Sequence, residues 1–79
     1  MEEKIICLII KICRTEEVKD MPDLDLFDSG LLDSLGLVAL LVAIEEEFDV
    51  TIAPTELERD DINTVNKIIR QIVDRVKNA

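Results

Sequence analysis

The sequence has no histidine, tryptophan or tyrosine, and only two residues each of cysteine, glycine, proline and phenylalanine. Without histidine there is no base for a Ser-His-Asp triad. Without histidine or a Cys-x-x-Cys pair, no metal site is expected. With Phe27 and Phe48 as its only aromatics, the chain must build an aliphatic core. It also lacks an aromatic wall against which a carboxylate could be tuned for acid–base catalysis, so it does not read as an enzyme. Positive charge is scarce too: 9 Lys and Arg stand against 18 Asp and Glu, a formal net charge of −9. Nucleic-acid binding needs clustered Lys and Arg to release counterions, and docking on anionic lipid needs them as well, so the charge argues against both. An acidic chain suits partners that carry basic patches. No apolar run is long enough to cross a bilayer. No secretory leader is expected, and the cytoplasm is the expected compartment. Cys7 and Cys13, six residues apart on one expected helix, point in different directions. A disulfide between them is therefore implausible, and two small buried or half-buried thiols are expected.

What is present is aliphatic and periodic. With 79 residues, 48% of them apolar, the chain is expected to form one domain over 1–79. A first helix is expected from Glu2 to Arg14, acidic at its start and basic at its end, as the helix dipole favours. Thr15 to Asp33 is a long first loop punctuated by Pro22 and Gly30. Its Leu24, Leu26, Phe27, Leu31 and Leu32 should anchor it over the core. A second helix runs from Ser34 to Phe48, capped by Asp33 or Ser34. Asp49 to Pro54 is an extended link with Val50 and Ile52 inward. Thr55 and Glu58 fit a capping box that would open a short third helix ending near Ile62. Thr64 then caps a last helix, Val65 to Lys77, with one apolar face and a basic outer face. The expected fold is all-α: a small four-helix bundle of three longer helices plus one short third helix, with a long first loop.

Two constellations invite a functional reading. Asp23, Asp25 and Asp28 suggest a calcium loop, but the register fails. With Asp23 at position one, Phe27 occupies position five and Asp28 the place that needs glycine, so these acids read as solvated loop charge. The stretch GLLDSLGLVALLVAIEEEF, from Gly30 to Phe48, is more informative. At about 100° per residue, Leu37, Leu40, Leu41, Ile44 and Phe48 form one stripe, suited to the core. Leu35, Val38 and Val42 form a second stripe on another face. A small bundle cannot easily bury both, so the second is a candidate protein contact. It starts beside Ser34, at a helix N-terminus, where free N–H groups and the positive dipole end would tolerate an attached phosphate.

Asp33-Ser34-Leu35, the aliphatic run behind it and Glu45-Glu46-Glu47-Phe48 together resemble the acyl and aminoacyl carrier-protein family over essentially the whole chain. The resemblance implies a non-catalytic carrier. In that family the serine, here Ser34, receives 4′-phosphopantetheine from coenzyme A through a phosphopantetheinyl transferase. Its oxygen attacks the pyrophosphate and forms a phosphodiester, and the terminal thiol of the arm carries cargo as a thioester. Asp33 and Leu35 match the flanks of the modified serine. Within the family, Leu31-Leu32 before Asp33, and Glu56, Leu57, Glu58, Arg59, Asp60, Asp61 and Thr64, resemble the D-alanyl carriers of teichoic acid D-alanylation. Ile62 and Val65 stand where that branch has Trp and Pro. The implied partners are the transferase, an adenylating ligase and a downstream membrane acyltransferase, with the carrier a monomer that does not itself insert into the membrane. Asp33, Leu35, Val38, Val42, Glu45 and Glu46 are the expected partner contacts. An acyl carrier for fatty-acid or polyketide-like synthesis is the alternative within the family. A plain helical interaction module, with Ser34 only a cap, is the alternative outside it.

Overall fold

A computed structural model describes residues 2–77; residues 1, 78 and 79, the ends of the expected domain, lie outside the described residues. Among the described residues there are three α-helices and no strand: α1 (Glu2–Cys13), α2 (Ser34–Phe48) and α3 (Val65–Lys77). No helix among them is long and apolar enough to cross a membrane.

Ile5, Ile9 and Cys13 turn the buried face of α1 inward, while Leu40, Leu41 and Ile44 do the same for α2 and Val65, Ile68 and Ile72 for α3. Lys4 meets Glu47 at 3.0 Å while Ile12 lies beside Gly36, so α1 and α2 run antiparallel. The core is aliphatic, as the scarcity of aromatics requires; Phe27 and Phe48 lie partly buried at its margin. Cys13 is buried, but Cys7 is exposed, contrary to the expectation of two sheltered thiols: it lies on the outer face of α1. Both are free.

The long first loop packs onto the core. It begins with a 3₁₀ turn, Glu16–Asp20, capped by the Thr15 hydroxyl, which accepts the Glu17 N–H at 3.2 Å. Val18, Leu26 and Leu32 are buried, and Leu24, Phe27 and Leu31 half-buried. The loop acids are not merely solvated. Asp25 Oδ1 accepts the N–H groups of Phe27 at 3.0 Å and Asp28 at 2.9 Å, and its Oδ2 accepts Asn63 Nδ2 at 3.0 Å. Asp23 accepts Asn66 Nδ2 at 2.9 Å. Backbone bonds from Leu26 N–H to the Asn63 carbonyl and from Asn66 N–H to the Pro22 carbonyl close the same seam. The loop is thus fastened to the start of α3. Thr64 caps that helix, its hydroxyl accepting the Lys67 N–H at 3.2 Å.

The link to α3 departs from expectation. Val50 and Ile52 point inward and are buried. Two separate 3₁₀ turns, Pro54–Glu56 and Arg59–Asp61, stand where a short third helix was expected. Glu56 accepts the Ala53 N–H at 3.3 Å, and Asp61 accepts the Glu58 N–H at 3.0 Å. Each acid closes its own turn, and such local side-chain bonds compete with a continuous helical ladder. The reaching-back acid is Asp61 for Glu58, not Glu58 for Thr55. Arg59 joins this segment to the first loop, 2.9 Å from Asp28 and over the Phe27 ring at 5.0 Å.

Ile44, 1% exposed, lies in the middle of α2's buried face. Ile44→Ala should lower stability by roughly 2–5 kcal/mol, as truncating a fully buried aliphatic does; chemical denaturation measures this, and an unchanged midpoint would contradict the phase of α2.

Asp25 supplies a second test. The Asp28 N–H, then the Phe27 N–H, Asn63 and Arg59, hold its carboxyl below the usual aspartate value, and partial desolvation opposes them. Its folded pKa is lower than its unfolded one. Its stabilisation is therefore complete above the unfolded value of 3.8 and disappears as pH falls through the folded value. Asp25→Asn should be less stable than the parent near neutrality, and the gap should close in acid. Melting both proteins across a pH series checks this.

Candidate functional site

The site begins with a cap. Asp33, in extended conformation, accepts the Gly36 N–H on Oδ1 at 2.7 Å, and its carbonyl accepts the Leu37 N–H at 2.8 Å. That makes Ser34 the first residue of α2. The first N–H groups of a helix have no acceptor within it, and the dipole is positive there. Gly36 permits the arrangement. A Cβ on it would stand 3.1 Å from Asp33 Oδ1, 3.1 Å from Leu32 Cδ1 and 3.4 Å from Ile12 Cγ2.

The chain has two serines, and they differ in chemistry. Ser29 Oγ donates to the Leu26 carbonyl at 3.1 Å, inside the first loop. The Ser34 side chain is exposed and enters no hydrogen bond among the described residues. With no histidine in the chain and the Asp33 carboxylate engaged by Gly36, nothing here activates that hydroxyl. Its hydroxyl is thus open to solvent at the start of α2.

Around it the expected face is present. Leu35 is 82% exposed, Val38 46% and Val42 50%, whereas Leu40 and Ile44 are each 1% exposed. At about 100° per residue, Ser34, Glu45, Val38, Val42, Leu35 and Glu46 fall within roughly 120° of one another. Glu45 and Glu46 are exposed there, while Glu47 is occupied by Lys4. An exposed apolar stripe with acids at its far end can dock a protein surface. Among the described residues no group of His, Cys, Asp or Glu could hold a metal ion. Sequence reasoning missed a groove beside the site, between α1 and α2, that Lys11 and Arg14 border. Its one signal is Arg14 directly after the end of a helix, where glycine is usual.

An exposed, unengaged serine at a helix start, free N–H groups there and a bare apolar face beside it would suit an attached anionic group. Residues 3–72 match the family described as "Phosphopantetheine attachment site", and the chain belongs to that family. It is a carrier, not an enzyme, and its prosthetic group is covalently held 4′-phosphopantetheine. Among curated relatives, the D-alanyl carrier protein of Bacillus velezensis is 40% identical over 73 residues, covering 92% of this chain and 94% of the relative. Those of Bacillus licheniformis and Bacillus subtilis are each 41% identical, over 89% and 90% of this chain and 90% and 91% of their own lengths. The residues present fit the group: the exposed Ser34 hydroxyl would hold it, and the unpaired N–H groups of the first turn favour an anion there.

Ser34→Ala should melt close to the parent, because Asp33 and not Ser34 supplies the cap. Asp33→Ala should cost about 1 kcal/mol, the usual loss for an N-cap. Thermal unfolding of the two variants side by side tests this; a larger loss in Ser34→Ala than in Asp33→Ala would contradict it.

Proposed function

We propose that the protein carries D-alanine, bound as a thioester to a phosphopantetheine arm on Ser34, for teichoic acid D-alanylation. The observation that carries the cargo assignment is the similarity to D-alanyl carrier proteins at about 40% identity over nine-tenths of each chain. The interior supports it. The space enclosed by Leu37, Leu40, Leu41, Ile44, Ile52 and their neighbours amounts to about 10 Å³. That is no more than one water molecule requires. A long acyl chain could not enter without parting the helices, whereas a small, charged aminoacyl group has no use for an apolar interior.

The arm supplies a flexible thiol at its end. The chain's own residues supply the attachment oxygen, the cap that presents it and the surface that partners grip. The partners are a phosphopantetheinyl transferase, an adenylating ligase that activates D-alanine, and a membrane-bound acyltransferase, with the carrier working as a cytoplasmic monomer. Leu35, Val38 and Val42 form the contact with the ligase; Asp33 marks its Ser34 end and Glu45 and Glu46 its far end. Apolar contacts of this kind are not weakened by salt, while exposed charges are screened and contribute little each. The acids and the net charge of −9 therefore act mainly on encounter with a basic partner surface.

The test is to arm the protein, then offer it to an adenylating ligase with ATP and either D-alanine or fatty acids, reading the product by intact mass. D-alanyl thioester supports the proposal; loading by fatty acid with D-alanine ignored would make it an acyl carrier instead. In the same assay Val42→Asp should lose most loading while folding normally, because the residue is half exposed and off the core stripe. Neutralising Glu46 should slow association modestly and flatten its salt dependence. Normal loading of Val42→Asp, with the Glu46 variant crippled at every salt concentration, would reverse these roles.

A further inference from the structure

At about 100° per residue, Ser34, Val38, Val42, Leu35, Ala39 and Gly36 follow one another around α2. Leu35, Val38 and Val42 are the exposed stripe, and Ala39 is exposed beside it. Leu35, Gly36 and Ala39 also line the groove between α2 and the end of α1, which has a volume of about 390 Å³. The stripe and the groove are therefore one continuous surface. On the α1 side of the groove, half-buried Ile12 supplies an apolar wall and Lys11 and Arg14 supply charge.

The charge on this surface differs from that of the chain as a whole. α2 has no acid in its first turn. Lys11 and Arg14 are exposed, and neither side chain enters an ion pair among the described residues, whereas Lys4, Arg59 and Arg75 each do. Among the described residues that line the groove, Asp33 is the one acid, and the Gly36 N–H engages one of its oxygens. Two cations against one carboxylate leave this end of the surface locally positive. Exposed Glu45 and Glu46 make the far end of the stripe negative. A chain of net charge −9 thus presents a contact face with one positive and one negative end.

We propose that the ligase docks across both helices, with an apolar side chain seated between Ile12 and Ala39 and acidic side chains against Lys11 and Arg14. This rests on the reading that the ligase grips Leu35, Val38 and Val42. The guanidinium can hold a carboxylate through two hydrogen bonds, and the ammonium acts as a point charge. The ligase surface then carries the mirror pattern: acids where it meets the Ser34 end, bases where it meets Glu45 and Glu46. Charges of this kind fix register and set the association rate more than the affinity. Docking in the reversed direction would set like charges against each other at both ends. The polarity thus selects the orientation in which the arm meets the ligase.

The test uses the full chain, armed and verified by intact mass, with a D-alanine-activating ligase. Zero-length carbodiimide crosslinking, read by peptide mapping, should join Lys11 to an Asp or Glu of the ligase. The Lys4–Glu47 pair, 3.0 Å apart, supplies a crosslink within the chain as a positive control. In loading kinetics the double variant Lys11→Glu, Arg14→Glu should lose roughly tenfold in kcat/KM at low salt, through KM, and the loss should shrink as salt is added. The sign is decisive. The variant is more acidic than its −9 parent, so a uniformly basic partner surface would load it faster. Both side chains are exposed and unpaired, so the variant should melt like the parent, and Lys11→Arg should load like the parent. The crosslink is read on the parent and stands whatever the variant's stability. Unchanged or faster loading of the double variant overturns the proposal, as does a parent with no Lys11 crosslink to the ligase. A Lys11 crosslink to a second copy of the chain also overturns it and assigns the groove to self-association. Normal loading of Val42→Asp overturns instead the apolar contact on which the proposal rests.

Discussion

The hydrogen bond from the Gly36 N–H to the Asp33 carboxylate fixes where α2 starts, and the site follows from it. With the helix beginning at Ser34, its phase is set by the need to bury Leu40, Leu41 and Ile44 against α1 and α3. That phase leaves Leu35, Val38 and Val42 outside. Among the described residues, three α-helices leave no further layer to cover them. The position of the Ser34 hydroxyl and the identity of the bare face are thus two consequences of one helix start. Gly36, whose missing Cβ lets Asp33, Leu32 and Ile12 close around that turn, belongs to the same device.

The first loop and the two 3₁₀ turns hold this helix in place from the other side. Asp25 and Asp23 tie the loop to Asn63 and Asn66 at the start of α3, and Arg59 ties the turns to Asp28 and Phe27. Most of these links are exposed and polar, so each contributes little alone. Their value is geometric: they hold buried Leu26 and Leu32 in the core, and Leu32 delivers the chain into Asp33. The nearly filled interior is the counterpart of this tight closure.

α2 was legible in the sequence to the residue, because a strong cap is followed by an uninterrupted apolar period. α3 was legible for the same reason, with Thr64 as its cap. Ser34 stood out through its flanks, and the structure adds what the sequence could not: Ser29 spends its hydroxyl inside the loop while Ser34 does not. The short third helix was misread because Thr55 and Glu58 satisfy a capping pattern. Glu56 and Asp61 capture the backbone instead, which only the folded turns reveal. Asp23 and Asp28 face solvent as expected, but the partners of Asp25 and Asp23, Asn63 and Asn66, lie about forty residues away and were not legible. The groove between α1 and α2, which Asp33 and Leu35 line, was not legible at all, since it arises from the approach of two helices.

The central claim is that Ser34, free at a capped helix start, is where the arm is attached. Peptide mapping by tandem mass spectrometry, after coexpression with a phosphopantetheinyl transferase, tests it directly. The account predicts one phosphopantetheine adduct, located on Ser34, with Ser29 unmodified and no adduct in Ser34→Ala. An adduct on Ser29, or one that persists in Ser34→Ala, would contradict it.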